Sequence, residues 1–120
     1  MFMNHSHFIK LAIEEARKHK HHFGACVVKG DKVVSFGSDR PPGDPLWHAE
    51  REAILEAIKK VGKDALKDCT LYSTCEPCPM CFYTIWVSGI KKLVYGASVK
   101  DSMDTGIPEV DITVKNSTRK

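Results

Sequence analysis

The sequence predicts an α/β fold in one domain spanning residues 1–120, and three observations carry that expectation. Strand-like and helix-like stretches alternate along most of the chain. The first two strands flank a tight turn, so the sheet opens with a hairpin. The later strands are separated by helical stretches, which demand crossover connections. The order reads α-β-β-α-β-α-β, then a short turn or helix, then a last β. Right-handed crossovers after the hairpin give a partly parallel sheet with helices on both faces. A chain of 120 residues is large enough for one core and too small for two.

The elements follow in order. Phe8, Leu11, Ala12 and Ala16, with Ile9 and Ile13 beside them, form an apolar stripe at helical spacing and predict a helix from Asn4 to Lys20. Cys26-Val27-Val28 and Val33-Val34-Ser35-Phe36 are strands around the hairpin turn Lys29-Gly30-Asp31-Lys32. Arg40-Pro41-Pro42-Gly43 is loop. Trp47 to Val61 is a helix with Ala53, Ile54, Ala57, Ile58 and Val61 on one side, stopped by Gly62. Thr70 to Thr74 is a strand, Cys78 to Ser88 a helix ended by Gly89, and Lys92 to Gly96 the next strand. Asp111-Ile112-Thr113-Val114 is the expected fifth strand. The helix Cys78–Ser88 is apolar nearly all round, through Met80, Phe82, Tyr83, Ile85, Trp86 and Val87. Such a helix is either buried or covered on one side by another subunit, so a homo-oligomer, a dimer in the simplest case, is expected.

Composition narrows the class. Hydrophobic residues make up 42% and charged residues 28%, ordinary values for a globular domain. The longest apolar run, Phe82 to Val87 interrupted by Thr84, is far too short to span a bilayer, so no membrane role is expected. The N-terminus has no basic region followed by an apolar stretch, so no secretory signal is read there. Five cysteines, an odd number, together with a thiolate motif, suit a reducing compartment, and the cytoplasm is the expected location. A net charge of +3 is too small to imply nucleic acid by itself. Lys18-His19-Lys20-His21-His22 is a local cationic cluster of the kind that usually ends a solvated helix, with a phosphate or RNA role as the alternative.

The chemistry lies in two runs, His48-Ala49-Glu50 and Pro77-Cys78-Pro79-Met80-Cys81. One imidazole and two thiolates are a three-ligand set for zinc, which leaves a fourth position open for water whose pKa falls to roughly 7. Two thiolates temper the Lewis acidity of the metal, so a nearby base gains importance. Glu50 is that candidate: it would take a proton from the water and pass it on to the substrate and its leaving group. Both runs look like helix starts, Asp44-Pro45 before the first and Glu76-Pro77 before the second. A helix N-terminus favours the thiolate forms of Cys78 and Cys81. Residues i and i+2 do not share a helical face, so His48 and Glu50 can serve one centre only around an open first turn.

Other readings of the cysteines are available. An iron–sulfur cluster using Cys75, Cys78 and Cys81 would want a fourth cysteine where Ile85 stands. A closed structural zinc site of His48, Cys75, Cys78 and Cys81 is the non-enzymatic alternative. Cys26 and Cys69 lie in apolar strand-like stretches and read as small buried residues.

On His22-Phe23-Gly24-Ala25, Asp44 to Glu50 and Thr70 to Cys81, the chain resembles the cytidine deaminase superfamily over nearly its whole length. It is most similar to the branch of guanine deaminases, tRNA adenosine deaminases and fungal cytosine deaminase. Cys75-Glu76-Pro77-Cys78-Pro79-Met80-Cys81 and Phe23 look like the guanine deaminase side. The resemblance implies a three-layer α/β/α fold with a five-stranded mixed sheet in the order 2-1-3-4-5. It implies one zinc per subunit on His48, Cys78 and Cys81, with Glu50 as proton shuttle. The substrate would be a small amino-heterocycle, guanine or another amino-purine ahead of cytosine or cytidine, with tRNA adenosine as the alternative. It would lie against His48 near Phe23, and Ala49 and Cys78 would offer backbone N–H groups. Asp39 stands where the family has a substrate-binding Asn. An ionised Asp only accepts hydrogen bonds, so if it faces the pocket the substrate should present an N–H or amino group there, the alternative being a surface Asp in a Pro-rich turn. Trp47 replaces a small residue and either narrows the pocket or stacks on a ring. The chain also ends soon after the expected fifth strand, so the pocket is either more open or completed by a partner subunit.

Overall fold

The computed structural model of the protein describes residues 5–19, 23–38, 48–75 and 77–97. Within them the order is α1 (His5–Lys18), β1 (Gly24–Lys29), β2 (Lys32–Ser38), α2 (Ala49–Val61), β3 (Cys69–Cys75), α3 (Pro79–Ser88) and β4 (Lys92–Ala97), with a short 3₁₀ segment, Lys63–Asp68, between α2 and β3. The four strands form one sheet in the order β2-β1-β3-β4. β1 is antiparallel to both β2 and β3, whereas β3 and β4 are parallel and joined through α3. The expected fifth strand at Asp111–Val114 lies outside the described residues.

Strand alternation sorts the apolar residues into two layers. Cys26, Val28 and Tyr72 face α1 and pack with its Phe8 and Ala12. Ala25, Val27 and Leu71 face the other way and pack with Ala49, Ala53, Ile54 and Ala57 of α2 and Ile85 of α3. Helices therefore cover both faces of a mixed sheet. The small side chains of the helix stripes let the layers approach closely: a Cβ on Gly24 would strike the Ala12 carbonyl, and one on Gly37 would strike the backbone of Ala49 and Ala53.

Several boundaries differ from the sequence expectation, each for a local reason. The hairpin turn tightens to Gly30-Asp31, with Gly30 at φ 66, which lengthens both strands. β2 carries a bulge at Val34, since Val27 pairs with Ser35 while Val28 pairs with Val33. That extra residue shifts the alternation and brings Ser35 and Gly37 onto α2. The Lys63–Asp68 segment was not expected; it is anchored by the fully buried Leu66 and by the Cys69 thiol donating to the Ala65 carbonyl at 3.4 Å. α2 and α3 begin at Ala49 and Pro79 rather than Trp47 and Cys78. α3 is not wholly buried: Ile85 faces the core, while Tyr83 and Val87 are 63% and 59% exposed.

Candidate metal centre and active site

The strand register assembles the site. β2, β3 and β4 all end along one edge of the sheet, because Ser38 pairs with Gly24, the Gly24 N–H donates to Thr74 Oγ1 at 3.2 Å, and Cys75 pairs with Ala97. Carboxyl ends of strands are where open α/β sheets bind ligands. α3 starts from this edge directly after β3, and the first turn of α2 packs against the end of β2.

The helix starts themselves carry the donors. His48 is the N-cap of α2, with φ −110 and ψ 152, and Cys78 is the N-cap of α3, with φ −69 and ψ 167. Both are extended residues at the mouth of a helix. Pro79, not Pro77, occupies the first turn of α3, and its ring keeps the preceding Cys78 extended. Asp44, Pro45 and Glu76 lie outside the described residues. The i, i+2 difficulty disappears with this correction. His48 is not helical, so its side chain and that of Glu50 are free of the helical angle between such positions. Glu50 is only 7% exposed.

His48, Cys78 and Cys81 bring one donor atom each within 4.8 Å of one another. His48 Nδ1 lies 3.6 Å from Cys78 Sγ. A tetrahedral zinc with Zn–S of about 2.3 Å and Zn–N of about 2.0–2.1 Å separates such a pair by roughly 3.6 Å, so the donor set fits zinc in type and spacing. Cys75 does not belong to this group; it ends β3, and its carbonyl accepts from Ser73 Oγ at 2.7 Å. A closed four-ligand site is therefore not what these residues form.

The two thiols are tuned in opposite directions. The Cys81 thiol hydrogen-bonds Cys78 and holds it as a thiolate, with a pKa of about 4, against the opposing effect of burial; His48 adds to the lowering. Cys81 is pushed up by sharing that proton with Cys78, then by burial and by the charge of Glu50. The Arg51 backbone N–H, in the first turn of α2, works against that rise. A metal ion bound by both thiolates would release protons on binding.

Of the substrate candidates, Ala49 is fully buried as the first residue of α2, where helix geometry gives its N–H no intrahelical acceptor. Phe23 lies just before β1, partly buried against the core beneath α2. Asp39 and Trp47 lie outside the described residues, as do Lys20, His21 and His22 of the cationic cluster. Sequence reasoning missed Thr74, whose hydroxyl ties Gly24 and so the neighbourhood of Phe23 to β3. A hydroxyl residue near a strand end is too common to have signalled it.

Known proteins resemble this chain in sequence and fold. The family model described as the cytidine and deoxycytidylate deaminase zinc-binding region matches residues 3–97. A guanine deaminase of Bacillus subtilis is 36% identical over 114 residues, covering 89% of this chain and 73% of that protein. Its solved structure superposes with a TM-score of 0.79. A tRNA-specific adenosine deaminase of Aquifex aeolicus is 37% identical over 101 residues, covering 79% of this chain and 67% of its own. A mutant of the protein NE0047 in complex with 8-azaguanine is 28% identical with a TM-score of 0.71, covering 89% of this chain and 65% of that one. The matched region contains the whole His48, Cys78 and Cys81 centre, and the chain accordingly belongs to the cytidine and deoxycytidylate deaminase family and is a zinc-dependent hydrolytic deaminase.

Proposed function

We propose that this chain deaminates an amino-purine base, with guanine as the first candidate. The observation that carries the reading is the 36% identity to a guanine deaminase over 89% of the chain, metal centre included. The likeness to a structure holding 8-azaguanine points to the same ligand class. Asp39 agrees with it, because a carboxylate there would accept from the ring N–H groups that guanine presents.

Zinc, when bound by His48, Cys78 and Cys81, supplies a Lewis acid that makes water acidic near neutral pH. Glu50 supplies the proton traffic: its carboxylate takes a proton from the attacking water, delivers it to a ring nitrogen, and returns one to the leaving amine. Guanine and water then give xanthine and ammonia. The N–H groups of Ala49 and Cys78, both at helix N-termini, face developing negative charge favourably. Phe23 and Trp47 offer aromatic surface to the base.

The second reading is a tRNA adenosine deaminase, which the Aquifex aeolicus relative favours. We also read the assembly as a homodimer, supported by the exposed apolar side of α3. The location is read as the cytoplasm, a reducing compartment that suits an odd number of cysteines and a thiolate donor set. Among the described residues no helix is long and apolar enough to cross a membrane. The deciding experiment is ammonia release by zinc-loaded protein from guanine, adenine, cytosine, their nucleosides, amino-pterins and triazines, beside Glu50→Ala. Release from guanine alone, absent in the variant, supports the purine reading. Silence on every small molecule with activity on tRNA would replace it with the second.

A further inference from the structure

One residue touches both the strand end and the metal-bearing helix start. The backbone N–H of Glu52 donates to the His48 carbonyl at 3.0 Å, closing the first turn of α2. Its carboxylate Oε1 accepts the backbone N–H of Ser38 at 3.0 Å. Ser38 is the last residue of β2, an edge strand of the described sheet, and is 1% exposed. Around this bridge the two elements are in backbone contact: the position of Gly37 leaves no room for a Cβ against Ala49 and Ala53, and Ser35 Oγ donates to the Ala53 carbonyl at 2.6 Å.

We propose that Glu52 is a positioning residue for the deamination, a staple that holds the end of β2 against the helix start bearing His48 and Glu50. The geometry calls for an acceptor oxygen at the reach of a glutamate, one helical turn past the metal ligand. From there the side chain reaches back to the strand while the main chain completes the turn. In this role the Glu52 side chain acts through Ser38. Because Ser38 directly precedes Asp39, a candidate substrate contact under the proposed function, loss of the staple should weaken substrate binding more than it slows the chemical step. The inference rests on that reading for its kinetic consequence only. The hydrogen bond itself can be tested without a substrate.

The test compares Glu52→Ala, Glu52→Gln and Glu52→Asp in zinc-loaded protein. Three quantities are read: hydrogen–deuterium exchange at Ser38, zinc per chain, and KM and kcat with the compound that releases ammonia. A hydrogen bond to a charged acceptor is worth about tenfold or more in an equilibrium constant. Glu52→Ala should therefore speed Ser38 exchange about tenfold and raise KM by about the same factor, with kcat nearly unchanged and one zinc retained. Glu52→Gln, whose amide oxygen still accepts, should recover most of both losses. Glu52→Asp keeps the charge but draws the carboxylate back, so it should behave like the alanine variant, and it decides the question if the alanine variant does not fold. Unchanged Ser38 exchange in both Ala and Asp variants would overturn the staple. A fall in kcat with KM constant would overturn the positioning role. A parent protein inactive on every base would count against the purine reading, while the exchange measurement would still decide whether Glu52 holds Ser38.

Discussion

At Glu50 two demands meet in one side chain: it must lie beside the metal centre, and it must stay out of the donor set so that its protons remain mobile. Its carboxylate is nearly buried and acts on Cys81 through its charge, yet the three donors within reach of one ion are His48, Cys78 and Cys81. Glu50→Gln should lower kcat by about 10²–10⁴ while one zinc per chain remains, read by steady-state kinetics and metal analysis of the same sample. Loss of zinc along with activity would make Glu50 a ligand instead. Cys26 offers a second prediction, on pH. Burial, aided by the charge of Glu15, pushes its thiol up to about 12. The folded state therefore keeps a proton that the unfolded chain gives up near pH 9. Its stabilisation is whole below that pH and is lost as pH climbs from about 9 toward 12, by at most about 1.4 kcal/mol per unit. Cys69 and Tyr72, both raised by burial, push the same way. The urea midpoint should fall between pH 8 and 10.5, and fall less steeply in Cys26→Ala. Equal slopes in the two proteins would mean that Cys26 does not hold its proton.

The elements explain why the donors were readable from sequence and their setting was not. Cys78 and Cys81 flanking a proline-marked helix start, with a His-x-Glu upstream, specify donor types directly. The helix starts were read too early because Pro45 and Pro77 are sound signals in isolation. What decides the true start is the extended conformation of His48 and Cys78, which for Cys78 is imposed by Pro79 rather than Pro77. The 3₁₀ segment was invisible because Lys63–Asp68 contributes a single buried apolar residue, Leu66, too little for any periodicity. The bulge at Val34 left no mark either, since Val33 and Val34 suit either face. Its consequence is Gly37 pressed on α2, and here two glycines make a matched pair. Gly37→Ala and Gly24→Ala both force a methyl into backbone, against Ala49 and Ala53 in one case and Ala12 in the other. Each should destabilise by about 1–3 kcal/mol or more, since backbone cannot swing aside as a side chain can. Only Gly37→Ala displaces the start of α2, so it alone should also weaken zinc retention in a chelator competition. Equal zinc retention in both variants would show that the centre tolerates movement of α2.

For the whole molecule, the telling feature is the outer side of the layer built by α2 and α3. α3 has ten residues and no charge, and Tyr83 and Trp86 stack on it with ring centroids 5.9 Å apart, next to exposed Val87. On α2, Leu55 and Ile58 are also exposed. Apolar surface gathered on one layer favours a partner. A second copy suits an uncharged patch, because a two-fold interface sets each residue group against itself, and a charged patch would repel its image. The zinc donors sit at the N-termini of these same two helices, so a partner docked on them would brace the metal centre as well as cover the patch. Light scattering of the zinc-loaded protein should give twice the chain mass of 13.4 kDa. The pair Tyr83→Glu and Val87→Glu should give a monomer with its zinc retained, since glutamates at exposed positions cost little in the isolated chain but would face each other across the axis. A parent protein that is monomeric at micromolar concentration, or a dimer that survives both glutamates, would remove α3 from the interface.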